Sequence, residues 1–447
     1  MPTPPHSPAT LAAWDHAHVW HPFTQHDEWE AEGVPLIIER AEGVHLVDVE
    51  GRRYLDGISS LWTNVHGHGH PAMLAALRSQ LDRVAHSTLL GLAGTPSIVL
   101  AKRLVDLVER IPGDTPALTR VFYSDSGSTA VEVALKLAFQ SCQQRGETAR
   151  TRFAALSEAY HGDTIGSVSV GGIDLFHAIY KPMLFDAVRI PSPDRPQPEA
   201  EARCLAQAEA LFAEHGPTLA GLVVEPLVQG AAGMRMHSPA FLRRLVELAR
   251  EHGALVIVDE VATGFGRTGT MFALEQVGVR PDLLCLAKGI TGGLLPLSAT
   301  LATESIFDSF RGPTTENRTF FHGHTYTGNA LACAAALANL EVFEAEDVLG
   351  RVPGHADALA AALEAHLPHA HVSEVRRHGL MCGVALQHDR PAAARTGHRV
   401  AMAARAHGVV IRPLGDIIVL MPPLAMAPRE LEQLVIAVAA AIRDILD

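Results

Sequence analysis

Two hydrophobic periods alternate along most of this chain. Apolar residues recur at helical spacing over Met73 to Val84 and over Ile98 to Val108. Between such stretches stand short, nearly continuous apolar runs: Arg120–Tyr123, Phe153–Leu156, Leu219–Val224, Leu255–Val258 and Leu283–Leu286. A short run with no polar face predicts a strand covered on both sides. Strands and helices in alternation predict an α/β fold, a mostly parallel sheet with helices on both faces. Residues 35–49 carry apolar runs around Ala41-Glu42-Gly43 and predict a small hairpin. Pro191 to Pro198 predicts a loop. An alanine-rich helix is expected from about Asn329 to Glu344, and residues 350–447 read as helix, strand, helix, strand, helix. The first dozen residues are rich in proline and are expected to be loose.

Length and composition narrow the function classes. A chain of 447 residues asks for more than one core. A net charge of −13 speaks against nucleic acid or an anionic membrane as partner. No apolar run approaches the length of a membrane span. The opening residues lack the basic and apolar regions of a secretory signal. The five cysteines are scattered and odd in number, which fits free thiols in a reducing cytoplasm.

The chemistry is concentrated where apolar runs end in charges. Asp259 closes Leu255-Val-Ile-Val, and Lys288 follows Leu283-Leu-Cys-Leu-Ala. Such residues are seldom buried without a partner. A lysine there can form a Schiff base and an acid there can pair with a pyridinium nitrogen, which points to pyridoxal 5'-phosphate (PLP). A structural ion pair is the plainer alternative. In Tyr123-Ser-Asp-Ser-Gly-Ser-Thr129 a strand ends and a helix begins near Ser128, which offers free N–H groups to a phosphate or merely a helix cap. Glu158-Ala-Tyr-His-Gly-Asp163 places an aromatic on a loop, where it could stack on a planar cofactor or simply pack. Gly264-Phe-Gly-Arg-Thr-Gly269 has the spacing of a dinucleotide fingerprint, but an acidic pair precedes it and the next strand ends in lysine. His66-Gly-His-Gly-His70 and His322-Gly-His324 could ligate zinc, yet no cysteine or acid nearby completes a shell, and no metal is expected.

Taken together, these blocks resemble the class-III, PLP-dependent aminotransferases of fold type I. The best marker is Leu255-Val-Ile-Val-Asp-Glu-Val-Ala-Thr-Gly-Phe-Gly-Arg-Thr-Gly269 followed by Ala287-Lys-Gly289. The resemblance implies a large PLP-binding domain at 71–344. A smaller α/β domain would come from both chain ends, 1–70 and 345–447. Within the class, Trp20-His-Pro-Phe-Thr-Gln25, Asp56-Gly-Ile-Ser-Ser-Leu-Trp62, Ala159-Tyr-His-Gly-Asp-Thr164 and Arg412-Pro-Leu-Gly415 are similar to the biotin-pathway branch. That branch aminates 8-amino-7-oxononanoate to 7,8-diaminononanoate with S-adenosylmethionine as donor. Another transaminase of ω-amino acids, of ornithine or 4-aminobutyrate type, is the alternative.

The resemblance also implies roles. Lys288 is the Schiff-base lysine and Asp259 the pyridinium partner. Gly127 and Ser128 form the phosphate turn, and Tyr160 stacks on the ring and borders the substrate. Thr325, with His324 beside it, reaches the phosphate from a partner subunit, with Gly323 close to substrate, so a homodimer is expected. Arg412 grips the substrate carboxylate. Trp62 and Phe23 line the pocket, and Phe23, where several members have a tyrosine, is expected among the catalytic residues with Lys288 and Asp259. The chain departs from that branch at Leu61, Phe23, Leu414 and Val419, where aromatic or phenolic side chains are common. Those rings suit a bulky cationic donor, so lysine is an alternative donor.

Overall fold

The computed structural model describes residues 6–113 and 115–447. Its centre is a seven-stranded sheet in the order Leu118–Ser124, Ser298–Thr303, Leu283–Leu286, Leu255–Asp259, Leu219–Val224, Arg152–Leu156, Ala187–Ile190. Neighbours from Leu283–Leu286 to Ala187–Ile190 pair in parallel. Ser298–Thr303 alone runs antiparallel to both of its neighbours. Ala187–Ile190 and this strand are the two that the apolar runs do not reveal. The sequence Ser-Ala-Thr-Leu-Ala-Thr of Ser298–Thr303 is fully buried, but small and hydroxyl-bearing side chains fill it.

The strands are buried because helices cover both faces. Every residue of Leu219–Val224 is buried. Helix Gly127–Gln144 lies on one face, its Val131, Ala134, Leu135 and Ala138 facing the sheet. Helix Pro239–Glu251 buries Phe241, Leu242, Leu245 and Leu248 on the other. This is the expected α/β architecture, with the carboxyl ends of the parallel strands gathered on one edge. Ligands of open parallel sheets bind at that edge.

The two chain ends meet. Residues Ile38–Glu42 and His45–Asp48 form the expected hairpin. Strand Arg53–Asp56 extends it and pairs in parallel with Val409–Val410. A separate antiparallel sheet holds Val372–His378, Met381–Leu386, Ile417–Leu420 and Arg412–Leu414. The alanine-rich helix runs Ala330–Ala345 with Asn329 as its cap, as its Oδ1 accepts from the N–H of Ala332 at 3.0 Å. The proline-rich opening is not all loose. Helix Pro8–His18 begins there, capped by the Ser7 hydroxyl with proline at its first position, where a missing N–H costs nothing. The first five residues lie outside the described ones. Among the described residues, no helix is long and apolar enough to cross a membrane.

Candidate active site

A cavity of 460 Å³ opens at the carboxyl edge of the sheet. Asp259 is the last residue of its strand, and Lys288 follows the neighbouring strand by two residues. Parallel pairing sets Asp259 against Cys285 and so brings the two charged side chains to one cavity. They form no ion pair with each other within 4 Å. The Asp259 carboxylate is instead held by the chain: Oδ1 accepts from the N–H of Val261 at 2.9 Å, and Oδ2 pairs with His161 Nδ1 at 2.8 Å. His161 is buried, and its Nε2 has no partner.

Lys288 stands on a strained backbone. Its φ is +47°, a left-handed value that costs a non-glycine residue about 1–3 kcal/mol. Such strain persists only where the surroundings fix it. Desolvation lowers its proton affinity, against which Asp259 and Glu225 pull weakly upward. Its Nζ lies 4.8 Å from the centre of the buried Trp62 ring. The chain has four lysines, and the other three are spoken for elsewhere: Lys102 by Asp106, Lys136 by His322, Lys181 by Asp174.

Opposite Lys288 the cavity meets the start of helix Gly127–Gln144. Ser126 caps this helix through a capping box with Thr129. The N–H groups of Gly127 and Ser128 belong to its first turn and have no intrahelical acceptor. Glycine is required at 127, because a Cβ would meet Val261 Cγ1 at 2.6 Å. Gly162 has φ +111°, and a Cβ there would strike Ser128 at 2.4 Å. The Ser128 hydroxyl accepts from the N–H of Thr164 at 3.0 Å, which fastens the Tyr160 loop to the helix start. The result is a small-residue cradle with free N–H groups and a positive helix end, suited to a phosphate.

Tyr160 lines the same cavity. Its hydroxyl donates to Asp163 at 2.7 Å, and its ring packs edge-on against Phe176. Its backbone N–H donates to Glu225 at 3.2 Å, while the other Glu225 oxygen accepts from Gly230 N–H at the same distance. Burial pushes the Glu225 carboxyl up to about 7. Glu225 and His161 were not singled out by the sequence. Glu225 ends another apolar strand run, and that signal could have found it.

The remaining expected residues fall elsewhere. Phe23 and Arg412 share a second cavity of 630 Å³, with the Arg412 guanidinium 5.7 Å from the Phe23 ring centre. Among the described residues Arg412 makes no hydrogen bond or ion pair, so its fork is free. Phe23 touches Phe176, which touches Tyr160, so an aromatic wall divides the two cavities. Phe23 is more than half exposed and carries no titratable group, so it does no acid–base work. Gly323, His324 and Thr325 line a third cavity, with Leu89 and Phe122, away from Lys288. Within one chain they do not join the site. Leu61 is half exposed. Leu414 pairs across its sheet with Ile417, and the buried Val419 sits directly opposite Arg412.

Two motifs find other uses. Gly264–Gly269 is a turn that buries Arg267, whose guanidinium donates to the carbonyls of Pro422 at 2.6 Å and Asn64 at 2.7 Å. It stitches both chain ends to the Asp259 strand. His66, His68 and His70 take separate partners, Asn339, Asp56 and Glu346. Among the described residues no group of three or more His, Cys, Asp or Glu side chains is placed to hold a metal.

Residues 28–442 match the family described as aminotransferase class-III. The chain belongs to the class-III aminotransferases. A relative from Nitratidesulfovibrio vulgaris, an adenosylmethionine-8-amino-7-oxononanoate aminotransferase, is 57% identical over 97% of this chain and 82% of its own. One of the same name from Geobacter sulfurreducens is 47% identical over 97% of each. The crystal structure of the Methanocaldococcus jannaschii enzyme of that name superposes with a TM-score of 0.92 at 40% identity, covering 99% of this chain and all of that one. A PLP-bound amine transaminase from an uncultivated Pseudomonas species gives 0.88 at 38%, over 96% of this chain and 99% of that one. Class-III aminotransferases depend on PLP, and this cavity fits it: a free lysine, an anchored carboxylate, a phosphate cradle and a flat aromatic bound one space.

Proposed function

We propose that this class-III aminotransferase converts 8-amino-7-oxononanoate to 7,8-diaminononanoate, the amination step of biotin biosynthesis, as a cytoplasmic homodimer. The observation that supports the substrate assignment is identity of 57% and 47% to two relatives of that name, against 38% to an amine transaminase. The free Arg412 guanidinium beside the aromatic wall supports it, as a planar fork suits the carboxylate of the substrate. S-adenosylmethionine is the donor by the same likeness. Lysine is the second reading, favoured by Phe23 and the aliphatic Leu61, Leu414 and Val419, which stand where aromatic or phenolic side chains are common in that branch.

Bound here, PLP supplies a carbonyl that takes and returns an amino group and a ring that withdraws electrons. The chain does the rest. Gly127 and Ser128 would hold the phosphate by backbone N–H groups. Asp259, fixed by His161 and Val261, would keep a proton on the ring nitrogen. Tyr160 would cover one ring face. Lys288, whose proton affinity desolvation lowers, would take a proton from the substrate carbon and give it back. Trp62 walls the amine from water.

The homodimer rests on two features. Thr325, His324 and Gly323 lie outside their own chain's site, and exposed apolar residues cluster around them: Leu90, Leu92, Ile98, Phe321 and Tyr326. A partner would bury this patch and bring Thr325 to a neighbouring phosphate cradle. Free thiols at all five cysteines fit a reducing compartment.

The test is a donor panel. Holoenzyme is incubated with 8-amino-7-oxononanoate and adenosylmethionine, lysine, ornithine or 4-aminobutyrate, and 7,8-diaminononanoate is measured by mass spectrometry. Product with adenosylmethionine supports the main reading, and product with lysine alone supports the second. Turnover of ornithine or 4-aminobutyrate with 2-oxoglutarate, and none with 8-amino-7-oxononanoate, overturns both.

A further inference from the structure

The proposed roles leave the His66-Gly67-His68 segment unused. Its two side chains leave in different directions because Gly67 turns the chain at φ +82°, where a Cβ would meet the Gly43 carbonyl at 2.9 Å. His66 runs toward the helix Ala330–Ala345 and reaches Asn339 Oδ1 with its Nε2 at 2.8 Å. Asn339 is wholly buried. Its amide nitrogen donates to two carbonyls, Gly289 at 3.0 Å and Ile290 at 3.1 Å. Those are the two residues after Lys288, in the tight turn that Lys288 opens.

The chemistry of the contacts fixes every proton. Two carbonyls can only accept, so the Asn339 NH₂ must face them and its Oδ1 must face His66. His66 Nε2 therefore carries a hydrogen. Burial holds the His66 ring far below its ordinary range, at about 4, so it stays neutral and keeps this tautomer at working pH. The ring is seated edge-on against Phe343 at 4.9 Å between centres. The adjoining backbone is the left-handed Lys288 residue, which needs outside support to hold its φ.

We propose that Asn339, oriented by His66, is a positioning residue that sets the Lys288 amine by clamping the turn behind it. This rests on the assignment of Lys288 as the cofactor lysine. His68 makes the matching connection on the other wall: its Nε2 donates to Asp56 at 3.0 Å, and Asp56 accepts from Ser60 N–H in the turn that presents Trp62. The pair of histidines thus holds both sides of the Lys288–Trp62 contact.

The test compares His66→Phe, which keeps the ring and loses the donor, with His66→Gln, whose amide nitrogen can restore it, and adds Asn339→Leu. His70→Gln is the control from the same motif: His70 touches the His66 ring but hydrogen-bonds to Glu346 and not to Asn339. Two readouts besides turnover are taken: the pH midpoint of the holoenzyme's visible band, and the rate at which apoenzyme gains that band from free pyridoxal phosphate. Asn339→Leu is expected to slow the linking rate and kcat by about tenfold, with KM within about twofold. His66→Phe is expected to do the same by about threefold and to move the band midpoint, with His66→Gln and His70→Gln close to wild type. Should Asn339→Leu fail to fold, the two His66 variants suffice to decide. Unchanged band midpoint and linking rate in His66→Phe, with only a lower melting temperature, would overturn the proposal and leave a structural contact. A wild-type protein that gains no visible band would overturn the reading of Lys288 itself.

Discussion

The cavity around Lys288 and the cavity around Arg412 differ in how they are made. The first is bounded by strand ends and a helix start of the central sheet, and most of its polar groups are tied to other residues of the chain: Asp259 to His161, Ser128 to Thr164, Glu225 to Tyr160. The second lies between the N-terminal segment and the elements around residues 395–416. Its Arg412 fork is free and its Phe23 is exposed. The contrast separates preorganised chemistry from adaptable recognition. Buried, mutually satisfied groups hold a geometry that a reaction needs. A free guanidinium on an open face can take a substrate carboxylate.

Substitutions in the two cavities should therefore fail differently. Lys288→Ala should give the largest effect, a loss of turnover by about 10³-fold or more, with phosphate-anchored cofactor still retained on gel filtration. Asp259→Asn should lower kcat by about 10²-fold while melting temperature changes little. A near-normal rate would remove Asp259 from the chemistry. On the recognition side, Arg412→Lys should raise KM for 8-amino-7-oxononanoate by about tenfold and spare kcat, since lysine keeps the charge but loses the fork. A fall in kcat with KM unchanged would erase the distinction between the cavities.

On stability rather than rate, the expected effect is a pH dependence. The Glu225 carboxyl titrates near 7 in the fold and near 4.5 unfolded, so the folded state binds more protons between those values. Its contribution is fully present below pH 4.5 and is lost as pH rises through about 7. Apoenzyme should lose up to about 3 kcal/mol of stability across that window from this group. Glu225→Gln should make the profile shallower without abolishing it, because burial raises the Glu260 carboxyl to about 7 as well, as read by thermal melts at a series of pH values.

The same contrast governs what the sequence revealed. Asp259 and Lys288 were legible because a charge at the end of an apolar strand run is rare and needs a reason. The phosphate turn was legible because a strand end, small residues and a helix start follow in order. His161, inside the Tyr160 motif, and Glu225, just after an apolar run, carry no mark of their own because their roles depend on partners 98 and 65 residues away. Asn339 was hidden inside an alanine-rich helix, where nothing marks one amide as turned toward the Lys288 turn. The buried strand Ser298–Thr303 escaped because its side chains are small. Gly323, His324 and Thr325 could be assigned only by resemblance, since their place in the site depends on a second chain.

The most direct test uses the scarcity of lysine. Holoenzyme is reduced with borohydride, digested and mapped by mass spectrometry for the pyridoxyl group. Of the four lysines, Lys102, Lys136, Lys181 and Lys288, only Lys288 lines the cavity. Schiff-base chemistry at this site predicts one label per chain, on Lys288, with loss of the visible band and of amination. A label on any of the other three, or a reduced protein that still aminates 8-amino-7-oxononanoate, would contradict it.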